Sequence, residues 1–82
     1  MQLDELVRER IQYFLKEKNM KPWDLYKASG LPKATVYAVI SGRNNLPTLG
    51  VLLHICEGFE ITLPEFFNDP NFEEVVFEKN DK

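Results

Sequence analysis

The chain has 82 residues, the length of one small domain, and 44% of them are hydrophobic, which is enough for a single core. Its one cysteine, Cys56, excludes an internal disulfide, and with a single histidine it leaves no cluster of the kind that binds a metal. The formal net charge of −3, taken as a whole, disfavours a polyanionic partner.

The charge, however, is segregated along the chain. Residues 1–15 have a net charge of −1, residues 16–56 carry six basic against two acidic residues, and residues 57–82 carry two against eight. Because binding to phosphates depends on the local field, the basic middle of the chain keeps nucleic acid open as a partner. A solvated surface with an uneven charge distribution explains the same numbers equally well.

The sequence contains no targeting or membrane signal. The first residues, MQLDEL, lack the basic region of a signal peptide. The longest apolar run, LGVLLHIC at residues 49–56, is much shorter than the roughly 20 residues that cross a bilayer. We therefore expect a cytoplasmic protein with no membrane partner.

The first predicted helix covers residues 3–18, and Asn19 suits its end. Apolar residues recur there at spacings of three and four, which places them in one stripe on a helix. The stripe consists of Leu3, Leu6, Val7, Ile11, Phe14 and Leu15.

Two short helices follow, joined by a glycine. Pro22 suits the first turn of a second helix at about 22–29, and Gly30 ends that helix because it tolerates positive φ. Pro32 opens a third helix at about 32–41. The inward stripe of the third helix is Val36, Val39 and Ile40, and its other side carries Lys33, Ala34, Tyr37, Ala38 and Ser41.

Two further helices are predicted after the polar loop RNNLP, residues 43–47. The fourth begins at Pro47 and Thr48, with Leu49, Leu52, Leu53, Ile55 and Cys56 as candidate core. The capping box TLPE, residues 62–65, begins a short fifth helix, which the Asp-Pro pair at residues 69–70 ends. For NFEEVVFEKNDK, residues 71–82, a helix, a strand and an arm on a partner all stay open.

This order of elements resembles the Cro/CI-type helix-turn-helix family. WDLYKASGLPKATVYAVISGR, residues 23–43, matches the two-helix unit, and NNLPTLGVLLHICEGFEITLPEFF, residues 44–67, matches the loop and the last two helices. The resemblance runs from about Ile11 to Phe67. It implies an all-α, five-helix domain of the lambda-repressor-like type, with the helix-turn-helix formed by the second and third helices.

The chain departs from the family pattern at the start of the second helix and within it. Pro22 and Trp23 stand where the family usually has Gln, and Tyr26 stands where a small Ala usually packs between the two helices. The Gln that often contacts a phosphate is therefore missing, although the N–H groups of a helix N-terminus also bind phosphate.

The resemblance implies that the third helix enters the DNA major groove with its N-terminal end first. The residues then expected to contact base edges are Lys33, Ala34, Tyr37 and Ala38. A lysine donates to guanine O6 and N7, and an alanine contacts the thymine methyl group. The residues expected to contact phosphates are Thr35, Ser41, Arg43, Asn44, Asn45, Trp23 and Lys27.

Several residues of the two helices and the loop also have a structural interpretation. Lys33 can be a solvated surface lysine, and the two alanines can be simple helix formers. Tyr37 can pack over the second helix, and Arg43 can cap the third helix. Packing is the favoured interpretation for Trp23 and still more for Tyr26.

No pattern of catalytic residues emerges. His54 and Cys56 are two residues apart on the fourth helix, so they point in different directions and are interpreted as structural. A catalytic triad, a carboxylate pair and a Gly-rich phosphate loop are all lacking from the sequence. We expect a protein that is not an enzyme and needs no cofactor and no metal.

The sequence thus predicts a sequence-specific, double-stranded-DNA-binding transcriptional regulator, a repressor, which binds two half-sites as a homodimer. Residues 1–69 form the DNA-binding domain, and residues 70–82 form an acidic tail that is partly ordered or in contact with the dimer partner. The candidate dimer surface is the aromatic-rich end, unless its phenylalanines close the core: Phe59, Phe66, Phe67, Phe72 and Phe77.

Two alternatives remain open. An antitoxin would bind both its operator and a toxin, with the apolar residues 72–77 as the segment that contacts the protein partner. A protein-interaction module would have kept the fold and lost DNA binding, which the acidic C-terminal third and the missing Gln favour.

Overall fold

The structure, a computed structural model, describes residues 2–42 and 46–75. These residues form five α-helices in the predicted order, followed by one 3₁₀ turn. The helices are α1 (Leu3–Glu17), α2 (Pro22–Ser29), α3 (Lys33–Ser41), α4 (Leu49–Phe59) and α5 (Leu63–Phe66), and the 3₁₀ turn is Pro70–Glu73. The predicted all-α, five-helix architecture is confirmed.

The apolar stripe of α1 forms the centre of the core. Leu6, Val7, Ile11, Phe14 and Leu15 are buried, and all but Leu6 belong to one cluster with residues from all four other helices. The three- and four-residue spacing therefore produces the predicted inward face.

The junction between α2 and α3 is built from local hydrogen bonds. At the start of α2, the Asp24 carboxylate accepts the Lys21 N–H at 2.9 Å. At its end, Gly30 has φ +77°, and the Ser29 hydroxyl accepts the Leu31 N–H at 3.2 Å. The left-handed glycine allows α3 to begin three residues later, at Lys33, in a new direction.

α4 lies so close to α2 that even a methyl group at Gly58 would be crowded. A Cβ at this position would lie 3.0 Å from Leu25 Cδ1 and 3.2 Å from the Ser29 backbone nitrogen. Leu25 is fully buried at this contact, and Ser29 is buried as well. The backbone of α4 therefore supports the helix-turn-helix unit directly.

For two of the five residues that were predicted to lie in the core from α4, the prediction is wrong. Leu52, Ile55 and Cys56 are buried, but Leu49 is 72% exposed and Leu53 is 43% exposed. Leu49 and Leu53 lie one turn apart and so share a side of the helix. The buried side of α4 is narrower than its apolar sequence, and these two leucines lie outside it.

α5 begins with the predicted capping box. The Thr62 hydroxyl accepts the Glu65 N–H at 3.2 Å, and the Glu65 carboxylate accepts the Thr62 N–H at 3.0 Å. The 3₁₀ turn begins after Asp69, whose carboxylate accepts the Asn71 N–H at 2.9 Å. Of the possibilities left open for residues 71–82, the structure shows this turn at residues 71–73, and residues 76–82 lie outside the described ranges.

The candidate aromatic dimer surface is partly used by the core. Phe59 and Phe66 are fully buried, so these two residues are unavailable to a partner. Phe67 is 37% exposed, and its ring contacts the Phe72 ring at a centroid distance of 5.0 Å. Phe77 lies outside the described residues.

Candidate nucleic-acid interface

α3 has one buried side and one open side. Val36 and Val39 are buried against the core, and Ile40 packs partly against it. Because an α-helix has 3.6 residues per turn, Lys33, Tyr37 and Ser41 lie on one side of α3, with Ala34 and Ala38 next to them. This open side carries Lys33, Ala34, Tyr37, Ala38 and Ser41.

The first two residues of α3 carry a cationic side chain and a small one. Lys33 and Ala34 are exposed, and Pro32, which precedes the helix, provides no side-chain cap. The Lys33 Nζ lies 5.1 Å from the centroid of the Trp23 ring and 5.9 Å from that of Tyr37. The ammonium is thus at the surface between α2 and α3.

Tyr37 and Ala38 are half-buried, and Tyr37 packs partly against the core. A part of the Tyr37 side chain is therefore used by the core, and the predicted packing over the second helix stays a prediction. Thr35 is half-buried, and Ser41 is exposed with its hydroxyl donating to the Ala38 carbonyl at 3.2 Å. Among the described residues, the open side of α3 therefore presents no large apolar side chain that projects fully into solvent.

α2 contributes Trp23, Tyr26 and Lys27 to the same region. Trp23 is 47% exposed, and its ring lies 5.1 Å from the ring of Tyr26, centroid to centroid. Tyr26 packs partly against the core, in agreement with its predicted packing role, and Lys27 is exposed. A shallow groove between these three residues continues to the turn at Gly30 and Leu31.

Two residues of α1 reach the C-terminal end of α3, and the sequence interpretation missed both. A Cβ at Gly42 would lie 2.8 Å from Arg8 Nη1, so the guanidinium occupies the space beside this residue. The Gln12 side chain donates to the Ile40 carbonyl at 3.4 Å. Their four-residue spacing on the polar side of α1 was the available signal, but which element that side contacts is a tertiary property.

Three candidate phosphate-binding residues cannot be placed relative to this surface. Arg43, Asn44 and Asn45 lie outside the described residues. The last described residue before them, Gly42, ends α3 with φ +85°.

The described part of the chain shows no group of metal ligands and no helix long and apolar enough to cross a membrane. Burial is the main cause that raises the pKa of the Cys56 thiol to about 11 from 9.0, and the charges of Glu57 and Glu65 raise it further. A thiol with this pKa is protonated at neutral pH and is a poor nucleophile.

A short helix pair joined by a glycine turn, with the second helix open to solvent on one side, defines a helix-turn-helix domain. The family model described as the Cro/C1-type HTH DNA-binding domain matches residues 10–71, and the chain belongs to that family. It is therefore a DNA-binding regulatory domain of a family that is typically non-enzymatic. Searches of the curated proteins and of the solved structures gave no significant match.

Proposed function

We propose that the protein is a sequence-specific transcriptional repressor that reads the major groove of double-stranded DNA with α3. The observation that carries the proposal is the open side of this helix, opposite the buried Val36 and Val39. Lys33 and Ala34 at its start are exposed, and the small side chains of Ala34 and Ala38 allow the helix to approach base edges closely.

The proposed base contacts follow from the chemistry of each side chain. Lys33 donates to guanine O6 and N7, and Tyr37 donates its hydroxyl to a base or a phosphate. Ala34 and Ala38 contact thymine methyl groups. The proposed phosphate contacts are Thr35, Ser41, Trp23, Lys27, Arg43, Asn44 and Asn45.

The distribution of charge supports this orientation on DNA. Residues 16–56, which include α2 and α3, have a net charge of +4, and residues 57–82, which include α5, have a net charge of −6. A polyanion attracts the first region and repels the second.

We further propose that the protein acts in the cytoplasm as a homodimer on two half-sites, because one short recognition helix covers few base pairs. Residues 1–69 form the DNA-binding domain in this proposal, and residues 70–82 form the acidic tail. The antitoxin alternative uses residues 72–77 for a protein partner, but the Phe72 ring lies 6.5 Å from that of Phe66 and partly packs against the core. No described residue therefore favours that alternative over the repressor.

A titration of labelled random-sequence duplex DNA at several salt concentrations tests DNA binding first. We expect the logarithm of the binding constant to fall with the logarithm of the salt concentration, with a slope equivalent to several phosphates. Absence of binding at low salt would contradict the proposal and favour the protein-interaction module.

Duplexes enriched from a random pool then test the recognition helix. Lys33→Ala is expected to weaken binding to the enriched duplex by about tenfold or more and to relax the preference for one guanine. Tyr37→Phe is the cleaner variant at the second position because the Tyr37 ring partly packs against the core. Lys18→Ala, which removes an exposed charge just after α1, is the matched control. Equal effects of Lys18→Ala and Lys33→Ala would refute the assignment of α3.

A further inference from the structure

The Lys33 ammonium lies near two aromatic rings that belong to different helices. Its Nζ is 5.1 Å from the Trp23 ring centroid on α2 and 5.9 Å from the Tyr37 ring centroid on α3. Both distances are within the range of about 6 Å at which a cation is attracted to the face of an aromatic ring. The indole is the better of the two acceptors.

Within residues 2–42 and 46–75, the Lys33 side chain has no hydrogen bond or ion pair that competes with the rings. The acidic residue closest to Trp23 in the sequence, Asp24, accepts the Lys21 N–H at the start of α2. The rings are therefore the contacts that set the position of the ammonium. Its N–H donors stay available to an incoming ligand.

Trp23 is not needed to fill the core. It is 47% exposed and is absent from the buried cluster and from the residues packed against it. Its α2 neighbour Tyr26 supports it at a ring centroid distance of 5.1 Å, and Tyr26 itself packs against the core. The indole is thus a rigid surface beside the first turn of α3.

We propose that Trp23 is a positioning residue that sets base specificity by holding the Lys33 ammonium at the groove-facing end of α3. This inference rests on the proposed function. A free lysine is flexible and pairs with any phosphate, and phosphate contacts carry no sequence information. A lysine held over an indole loses less conformational freedom on binding and meets the same base edge each time.

The contact itself is tested on the free protein by NMR. Ring currents of the indole are expected to shift the Lys33 Cε protons upfield of those of Lys18, an exposed lysine without a ring contact in the described part of the chain. Trp23→Leu, which keeps an apolar side chain and removes the ring, should return them to the position of the other lysines. Identical shifts of Lys33 and Lys18 in the unsubstituted protein would overturn the proposal.

The effect on recognition is tested with the duplex enriched from a random pool and a second duplex in which one base pair is changed. The changed pair is the guanine-cytosine pair at which Lys33→Met loses its discrimination. Trp23→Leu is expected to reduce the ratio of the two Kd values by about two- to fivefold, the size of an exposed cation–π contact. Trp23→Phe should retain most of the ratio.

A salt titration on random duplex DNA separates positioning from packing. The freed Lys33 of Trp23→Leu should pair with phosphate, which steepens the log–log salt slope by about 1. Equal weakening of both duplexes, with an unchanged slope, would overturn the proposal, because Trp23 would then support the fold or contact a phosphate without positioning Lys33.

The experiments distinguish failure of the proposed function from failure of the role proposed for Trp23. If no duplex binds the unsubstituted protein, the proposed function and the recognition role of Trp23 fail together, whatever the NMR shifts show. If the enriched duplex binds and Trp23→Leu discriminates like the unsubstituted protein, DNA recognition stands and only the role of Trp23 is lost.

Discussion

Arg10 and Lys33 each lie near two aromatic rings. The Arg10 side chain lies between α1 and α5, and the Lys33 side chain lies between α2 and α3. The Arg10 guanidinium carbon is 5.0 Å from the Tyr13 ring centroid and 4.7 Å from that of Phe14. Arg10 is 9% exposed, and its guanidinium donates to the carbonyls of Phe66 at 2.8 Å and Glu65 at 2.9 Å. Lys33 is exposed, and among the described residues its ammonium contacts only the rings of Trp23 and Tyr37.

The difference shows how one kind of contact serves two purposes. The charge of Arg10 is balanced inside the protein by two carbonyl oxygens and by Asp69, whose carboxylate lies 3.9 Å from Nη1. A buried cation requires such partners, because its transfer from water is costly without them. Lys33 remains hydrated on one side, so its donors can still be exchanged for those of a ligand.

Arg10→Met tests the buried member of the pair and is expected to have the largest effect. The variant leaves the Phe66 carbonyl without its donor and Asp69 without its cation, whereas the Glu65 carbonyl keeps the Asn68 N–H, so the free energy of unfolding should fall by about 3 kcal/mol. Urea denaturation followed by circular dichroism measures this change.

Arg10→Lys is the matched control, because a lysine keeps the charge and reaches at most part of the same set of acceptors. It should fall between the unsubstituted protein and Arg10→Met. A loss below 1 kcal/mol for Arg10→Met would show that the guanidinium does not hold α5 in place.

Gly58→Ala tests the packing of α4 against α2, one of the two helices between which Lys33 lies. It should have the next largest effect. Its Cβ would press on Leu25 and the backbone of Ser29, and overpacking of this kind costs about 2 kcal/mol. Thermal unfolding measures the loss. Gly50→Ala in the same helix is the control: the nearest atom, Thr48 Oγ1, is 3.9 Å from its Cβ, so it should stabilise by about 1 kcal/mol. Equal signs for the two variants would contradict the close packing of α4 on α2.

Cys56 extends the comparison to a buried group without a compensating partner for its charge. The raised pKa means that the native state holds the thiol proton more tightly than the unfolded state. The stabilisation of the native state by the protonated thiol is fully present below about pH 9 and is lost as the pH rises toward 11. At pH 10 the free energy of unfolding is lower by roughly 1 kcal/mol for this reason. Denaturation at pH 8 and pH 10 should show a smaller decrease for Cys56→Ala than for the unsubstituted protein. The same decrease in both would mean that the thiol does not contribute.

Lys33→Met is expected to have the smallest effect on folding. The exposed ammonium has no hydrogen bond in the described part of the chain, so the free energy of unfolding should change by less than about 0.5 kcal/mol. Differential scanning calorimetry checks this value. A change as large as that of Arg10→Met would mean that both cations are structural.

The local elements of the fold were readable from the sequence because their signals are local. Pro22 and Gly30 delimit α2, and the pair Thr62 and Glu65 caps α5, as predicted. The burial of Leu49 and Leu53 was predicted incorrectly, because a continuous apolar run does not reveal how much of a helix its neighbours cover. Arg10 was equally inaccessible to prediction, since its acceptors lie 55 and 56 residues away.

The candidate site divides along the same line. The open side of α3 follows from the periodicity that buries Val36 and Val39. The position of Lys33 over Trp23 depends on the crossing of two helices, and the contact of Arg8 with the end of α3 depends on a third. The roles of these residues on DNA stay predictions, as does the part assigned to Arg43.

The close approach of α4 at Gly58 has a consequence for the autonomy of the helix-turn-helix unit. α2 has 8 residues and α3 has 9, and helices of this length are marginal in water when isolated. Both depend on contacts from a segment that lies later in the chain. An excised peptide of residues 20–43 should therefore be unstructured, and the amides of α3 should exchange with solvent only when the whole domain opens. The surface assigned to DNA recognition therefore forms only when the complete domain folds. The helix pair that carries it cannot be transplanted without α4.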